Sequence, residues 1–261
     1  MVYYRTRALI RGPIGGGGVW VAPGVPSFLL PGGLRFVPPH HSHDEGLTCW
    51  DGVCEAVSAA EPLVIPVPED LPNRLFYEWE ANFQPVLGGS PRWEGFSLIV
   101  RDQLERERVG IIETGTCRKP GDWAGDGQST RVWDWVLSRV PGVAVSVDVE
   151  MASVETAQKC CTRVHCVCQD SVTFLRGYIP FVPTLLYLDS RDWGPGAEVA
   201  SCMQQVAELA ACWERLPAGC LIASDDSHNL RQGKPTLSRQ LLKVLGIEPI
   251  LESYIVVWRK P

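Results

Sequence analysis

Six acidic residues stand where short apolar runs end. Glu113 follows VGII, Asp148 closes VAVSVD, Asp170 follows VHCVCQ, Asp189 closes TLLYLD, and the pair Asp225–Asp226 follows CLIAS. Carboxylates accept hydrogen bonds from hydroxyls and amines, and grouped carboxylates hold hard cations. After the first acid comes a polar loop with glycines at 115, 121, 125 and 127, and then Ser129 and Thr130 open an amphipathic run. Glycine lets backbone approach a ligand closely, and the free N–H groups at a helix start attract polar or anionic groups. Together these residues describe a cradle for a small polar ligand. Each acid alone has a plainer reading, as an ordinary strand-end residue, and the loop alone reads as an ordinary crossover.

Positioning six acids this way requires alternating elements. Strands are expected over Val109–Glu113, Val143–Asp148, Val164–Cys168, Thr184–Asp189 and Cys220–Ser224. Helices are expected over Thr130–Arg139, Val154–Cys161, a short stretch ending at Arg176, Ala197–Leu216 and Pro235–Leu245. Ile250–Trp258 closes the chain as one bent strand or two short ones. Repeated βα units predict an α/β fold: a Rossmann-like, doubly wound, mostly parallel sheet with helices on both faces. Ligands of such sheets bind at the carboxyl ends of the strands, where the acids lie.

The first 108 residues differ. Residues 1–70 are dense in glycine and proline, from Gly15–Gly18 to Pro62, Pro66 and Pro68, and read as an irregular N-terminal arm or small β module. Residues 71–108 carry two helical apolar stripes broken at Gly88–Pro91 and read as a helical cap, with 109–261 as the main domain. Within the arm, His40, His41, His43, Asp44, Cys49 and Cys54 are of the types that ligate zinc, at spacings that match no finger pattern. Trp123 and Trp193 fall in loops and are candidates for stacking on a ligand, whereas Trp133 and Trp135 read as packing residues.

A net charge of -6 argues against a broad electrostatic grip on nucleic acid. No apolar run approaches a membrane-spanning length, and no secretory leader pattern follows Arg5 and Arg7. The expectation is a soluble, intracellular, cytoplasmic protein with a small-molecule substrate. The arm leaves room for a homo-oligomer or another protein partner. The ten cysteines, in that setting, read as free thiols, and Cys160, Cys161, Cys166 and Cys168 beside His165 as core packing rather than a metal cluster.

The ordered series of Glu113 with Gly115 and Thr116, the GQST before the first helix, Asp148, the QDS at 169–171 and the Asp225–Asp226 pair resembles the class I S-adenosylmethionine-dependent methyltransferases, nearest to the macrocin or catechol O-methyltransferase-like group. The resemblance covers residues 109–258. It implies that Glu113, Gly115 and Thr116 border the methionine part of S-adenosylmethionine. Gly127, Ser129 and Thr130 would present donors at the helix start, Asp148 would bind the ribose diol, and Asp170 and Ser171 would meet the adenine, with Asp189 also at the cofactor. It further implies a divalent ion, Mg2+, held by Asp189, Asp225 and Asp226. The expected activity is O-methylation of a small hydroxylated molecule.

Two departures from the pattern stand out. The first loop is long, with residues 117–124 inserted before Gly125–Asp126–Gly127. The lysine that some catechol-type enzymes place after the first metal acid is absent, and Arg191 and Asp192 stand there. The candidate proton acceptors are therefore His228, whose neutral imidazole suits the task near pH 7, and then Asp192. Lys234 reads as structural or as a contact for an anionic substrate group. Other readings are an inactive protein of this fold serving as an interaction module, a methyltransferase acting on RNA or a glycan, and an NAD-dependent oxidoreductase. The last is disfavoured because no G-x-G-x-x-G follows the first strand.

Overall fold

The computed structural model describes residues 70–261, except 124, 126, 127, 230 and 231, together with five short strands among residues 1–69. The chain divides into two compact units, Met1–Tyr77 and Glu78–Pro261. In the first unit, β1 (Val2–Arg5) pairs antiparallel with β4 (Pro26–Leu30), which pairs with β5 (Gly33–Leu34), and β2 (Ile10–Arg11) pairs with β3 (Trp20–Val21). The candidate zinc ligands His40, His41, His43, Asp44, Cys49 and Cys54 lie outside the described residues.

Helix α1 (Leu71–Leu87) and helix α2 (Trp93–Leu104) precede the alternating part of the chain. There follow β6 (Val109–Thr114), α3 (Ser129–Leu137), β7 (Gly142–Asp148), α4 (Met151–Cys160), β8 (Val164–Cys168), α5 (Ser171–Arg176), β9 (Leu185–Leu188), α6 (Glu198–Cys212) and β10 (Leu221–Ser224). A hairpin, β11 (Ser227–Asn229) and β12 (Gln232–Gly233), leads to α7 (Thr236–Val244), and β13 (Leu251–Glu252) and β14 (Val256–Arg259) end the chain. The large sheet has the order β13-β14-β10-β9-β6-β7-β8. Strands β10, β9, β6, β7 and β8 are parallel, and β14 runs against both its neighbours. The expected doubly wound, mostly parallel sheet is the one observed. The β11–β12 hairpin has no counterpart in the sequence reading, because two- and three-residue strands carry no periodic signal.

Burial explains the topology. Every residue of β6, β9 and β10 is buried, as strands covered on both faces must be. On one face Leu175, Leu209, Cys212 and Leu242 from α5, α6 and α7 pack with Ile112, Leu186, Ile222 and Trp258 of the sheet. On the other, Phe96 of α2 and Trp133 of α3 meet Tyr187, with ring centroids 5.2–5.9 Å apart. The sheet has its switch point at β6: β7 lies on one side and β9 on the other.

One acid joins these layers. Glu113 is fully buried and accepts hydrogen bonds from Thr130 Oγ1 at 2.7 Å, Trp133 Nε1 at 2.7 Å and Ser146 Oγ at 2.5 Å, tying β6 to α3 and β7. Burial pushes its carboxyl above the ordinary value, and these donors pull against that shift. A second acid ends a helix: Asp170 caps α5, accepting from Thr173 N and Thr173 Oγ1, both at 2.8 Å.

Glu113→Ala leaves three buried donors without an acceptor, and at about 1 kcal/mol each the unfolding free energy in urea is expected to fall by about 3 kcal/mol. Asp170→Ala is expected to cost about 1 kcal/mol. Thr173 holds the Asp170 carboxyl below its ordinary 3.8, so the cap is fully present above that pH and is lost as pH falls through the lowered value. Urea midpoints of wild type and Asp170→Ala should therefore converge in acid.

Candidate active site

The carboxyl ends of β6, β7 and β9 border a cleft of about 380 Å³, within the range of small-ligand sites. Gly115, Thr116, Ser129, Asp148, Glu150, Asp189 and Asp192 are among its walls. At its floor Gly115 has φ +84°, and a Cβ there would lie 2.5 Å from the carbonyl oxygen of Asp189. Only glycine fits this point, just past β6 and against the backbone that follows β9.

Asp148 closes β7 and is aimed by two backbone donors. Thr116 N reaches Oδ2 at 3.1 Å, and Glu150 N reaches Oδ1 at 2.8 Å. A carboxylate has about four acceptor positions, so capacity remains for a ligand's hydroxyls. Thr130 sets the first loop: its Oγ1 donates to Glu113, accepts from Cys117 N at 3.0 Å and lies 3.3 Å from Thr116 Oγ1. Gln128, at the helix N-cap with φ 53°, is fully buried and fastens the loop further out, donating to Lys119 O at 2.6 Å and accepting from Gly121 N at 3.1 Å. Cys117, Lys119 and Gly121 of the insertion are thus held by the chain itself. Arg118 from this loop forms an ion pair with Asp192 at 2.8 Å, and both line the cleft.

Several expected contacts fall elsewhere. Glu113 is fully buried and is not among the cleft's walls. Asp170 is exposed and caps α5. Ser171 is buried and donates to Glu208 Oε1 at 2.5 Å, in a cluster that also takes Thr114 Oγ1 at 3.2 Å. Gly127 lies outside the described residues. His228 is exposed on the β11–β12 hairpin, edge-on to Tyr254 with centroids 5.7 Å apart and 6.1 Å from the ring of Trp193. Trp123 packs against Phe83 and under Arg131, beside a separate cavity. Cys161 is buried as expected, whereas Cys168 is exposed.

The acids of β9 and β10 do converge, but on cations of the chain. Lys234 Nζ lies 2.5 Å from Asp189 Oδ1 and 2.9 Å from Asp226 Oδ2. Arg92, at the start of α2, donates to Asp225 Oδ2 at 2.8 Å and Asp226 Oδ1 at 2.9 Å. Tyr187 donates to Asp225 at 2.9 Å and Tyr254 to Asp226 at 2.7 Å. Burial alone would lower the pKa of Lys234 and Arg92, and their acid partners outweigh it and raise both. Burial pushes Asp189 up, and the adjacent charges of Asp225 and Asp226 add to the shift. For Asp226 the Lys234 charge and the hydrogen bonds of Lys234 and Tyr254 overcome burial, holding the carboxyl below the ordinary range.

This donor set does not fit the expected Mg2+. A lysine ammonium already bridges two of the three acids, and among the described residues no group of three or more His, Cys, Asp or Glu side chains could hold a metal ion. Arg92, Tyr187 and Tyr254 had no signal in the sequence, since they come from three distant segments. Lys234 stood out only as a lone lysine after a glycine.

No protein-family model matches the chain, and no curated protein matches it. Solved structures match it at low identity. The O-methyltransferase NovP is 12% identical with a TM-score of 0.48, covering 65% of this chain and 79% of its own. CalS11, a calicheamicin methyltransferase, is 12% identical with a TM-score of 0.48, covering 84% and 99%. MycE, a methyltransferase from the mycinamycin biosynthetic pathway in complex with Mg, SAH and mycinamycin VI, is 16% identical with a TM-score of 0.44, covering 85% and 68%. Among the described residues no helix is long and apolar enough to cross a membrane.

Lys234→Met leaves Asp189 and Asp226 without their buried cation and is expected to cost about 3–5 kcal/mol in urea unfolding. Arg118→Ala removes an exposed pair and is expected to cost less than about 1 kcal/mol. Equal losses would mean that burial does not separate the two ion pairs.

Proposed function

We propose that this protein is an S-adenosylmethionine-dependent methyltransferase acting on a hydroxyl of a small molecule. The observation that carries the reading is Asp148: an acid at the end of the second strand, aimed by two backbone N–H groups into a cleft at the switch point of the sheet. Asp148 accepts hydrogen bonds from the ribose diol. The backbone at Gly115 and Thr116 and the start of α3 at Ser129 border the rest of the cofactor. When bound, S-adenosylmethionine supplies an electrophilic methyl group.

The chain's own residues bind, orient and accept a proton. Asp192 is engaged by Arg118, which leaves His228 as the better proton acceptor. Its imidazole is exposed, with the rings of Trp193 and Tyr254 as neighbours. The Arg118–Asp192 pair across the cleft favours one second reading, a protein of this fold whose first loop closes the site and serves a partner.

Calorimetric titration with S-adenosylmethionine and its demethylated product separates the two. Micromolar affinity for both, weakened at least about tenfold in Asp148→Ala, is the expected result, a tenfold loss being about 1.4 kcal/mol. No heat with either ligand would sink the enzyme reading and leave the interaction module.

A further inference from the structure

Hard divalent ions take carboxylate oxygens, but Asp189, Asp225 and Asp226 at the ends of β9 and β10 are each engaged by a cation of the chain. We propose that Lys234 is a built-in cation standing where such an ion would bridge Asp189 and Asp226, so that the cluster is complete without a metal and takes one only when the ammonium is removed.

The backbone delivers this lysine deliberately. The β11–β12 hairpin folds Gly233 back onto Ser227, and Lys234 N then donates to Asp226 O at 3.2 Å. Gly233 has φ +122°, and a Cβ there would lie 2.2 Å from the Asp226 carbonyl oxygen, so glycine is needed for so close a return. Asp226 itself is left-handed, with φ 59°. The Lys234 side chain is only 1% exposed. Its Nζ lies 2.5 and 2.9 Å from oxygens that a bound ion would need at about 2.0–2.6 Å, so ammonium and ion exclude one another. Arg92 takes Asp225 Oδ2 and Asp226 Oδ1, giving two cations for three acids.

Lys234 therefore acts as a positioning residue: it fixes Asp189, which lines the cleft, from outside the cleft wall. On the methyltransferase reading, the acceptor need not chelate an ion, so a lone hydroxyl suffices and paired oxygens are not required.

The test titrates Mn2+ into wild type and Lys234→Ala without cofactor and follows the free-ion electron paramagnetic resonance signal. Wild type is expected to leave the signal unchanged, whereas Lys234→Ala takes up one ion with Kd of about 0.1 mM or tighter, as all-oxygen sites can, and gains melting temperature with it. Uptake by wild type that Asp226→Asn abolishes would overturn the proposal. So would an alanine variant that binds no ion. If that variant is unfolded without metal, refolding on Mn2+ addition supports the proposal, and no refolding overturns it. Because no cofactor is present, failure here is distinct from failure of the methyltransferase reading, which the calorimetric titration reports.

Discussion

The cleft depends on a carboxylate that never reaches it. Glu113 sits fully buried at the end of the central strand, and an acid there is tolerable because side chains aim donors at it, Thr130, Trp133 and Ser146 among them. Those donors come from α3 and β7, so satisfying the acid also docks the helix against the sheet and registers the two strands. Thr130 passes the constraint outward, since the hydroxyl that donates to Glu113 also receives the backbone of Cys117. Asp148 is then aimed by the next residue back, Thr116. The geometry of the cleft wall is thus set one layer below the surface.

The other lip is held by charge rather than by neutral hydrogen bonds. Asp225 and Asp226 are separate in role: the first is fully buried among Arg92 and Tyr187, and the second turns through a left-handed conformation to reach Arg92, Tyr254 and Lys234 at once. Such a backbone costs of order 1 kcal/mol and persists where the surroundings over-determine it. Here three charged or phenolic partners do so.

Much of the fold was legible because periodicity is a local property. Val164–Cys168 is a strand at the expected bounds, and each of the other parallel strands lies within a residue or two. Helix α6 ends at Cys212, ahead of the expected Leu216, because a 3-10 turn at Trp213–Arg215 takes over the apolar pattern. The site was legible in position and less so in chemistry. That Asp148 and Asp189 would line a cleft follows from where strands end. That Asp170 would turn to its own helix, Ser171 to Glu208, and the acids of β9 and β10 to Lys234 does not, because each outcome depends on a partner brought near only by folding. Identical aspartates serve as ligand acceptor, helix cap or ion-pair member according to what faces them.

The Arg118–Asp192 pair has a kinetic meaning. With 48% and 71% of the two side chains exposed, water competes for both charges, and such a contact is worth roughly 0–1 kcal/mol. Taken by itself, that difference sets a ratio of engaged to disengaged pairs no greater than about five to one, shrinking further as salt screens it. The two side chains therefore separate readily, and the pair constrains the first loop far less than the buried Gln128 contacts do.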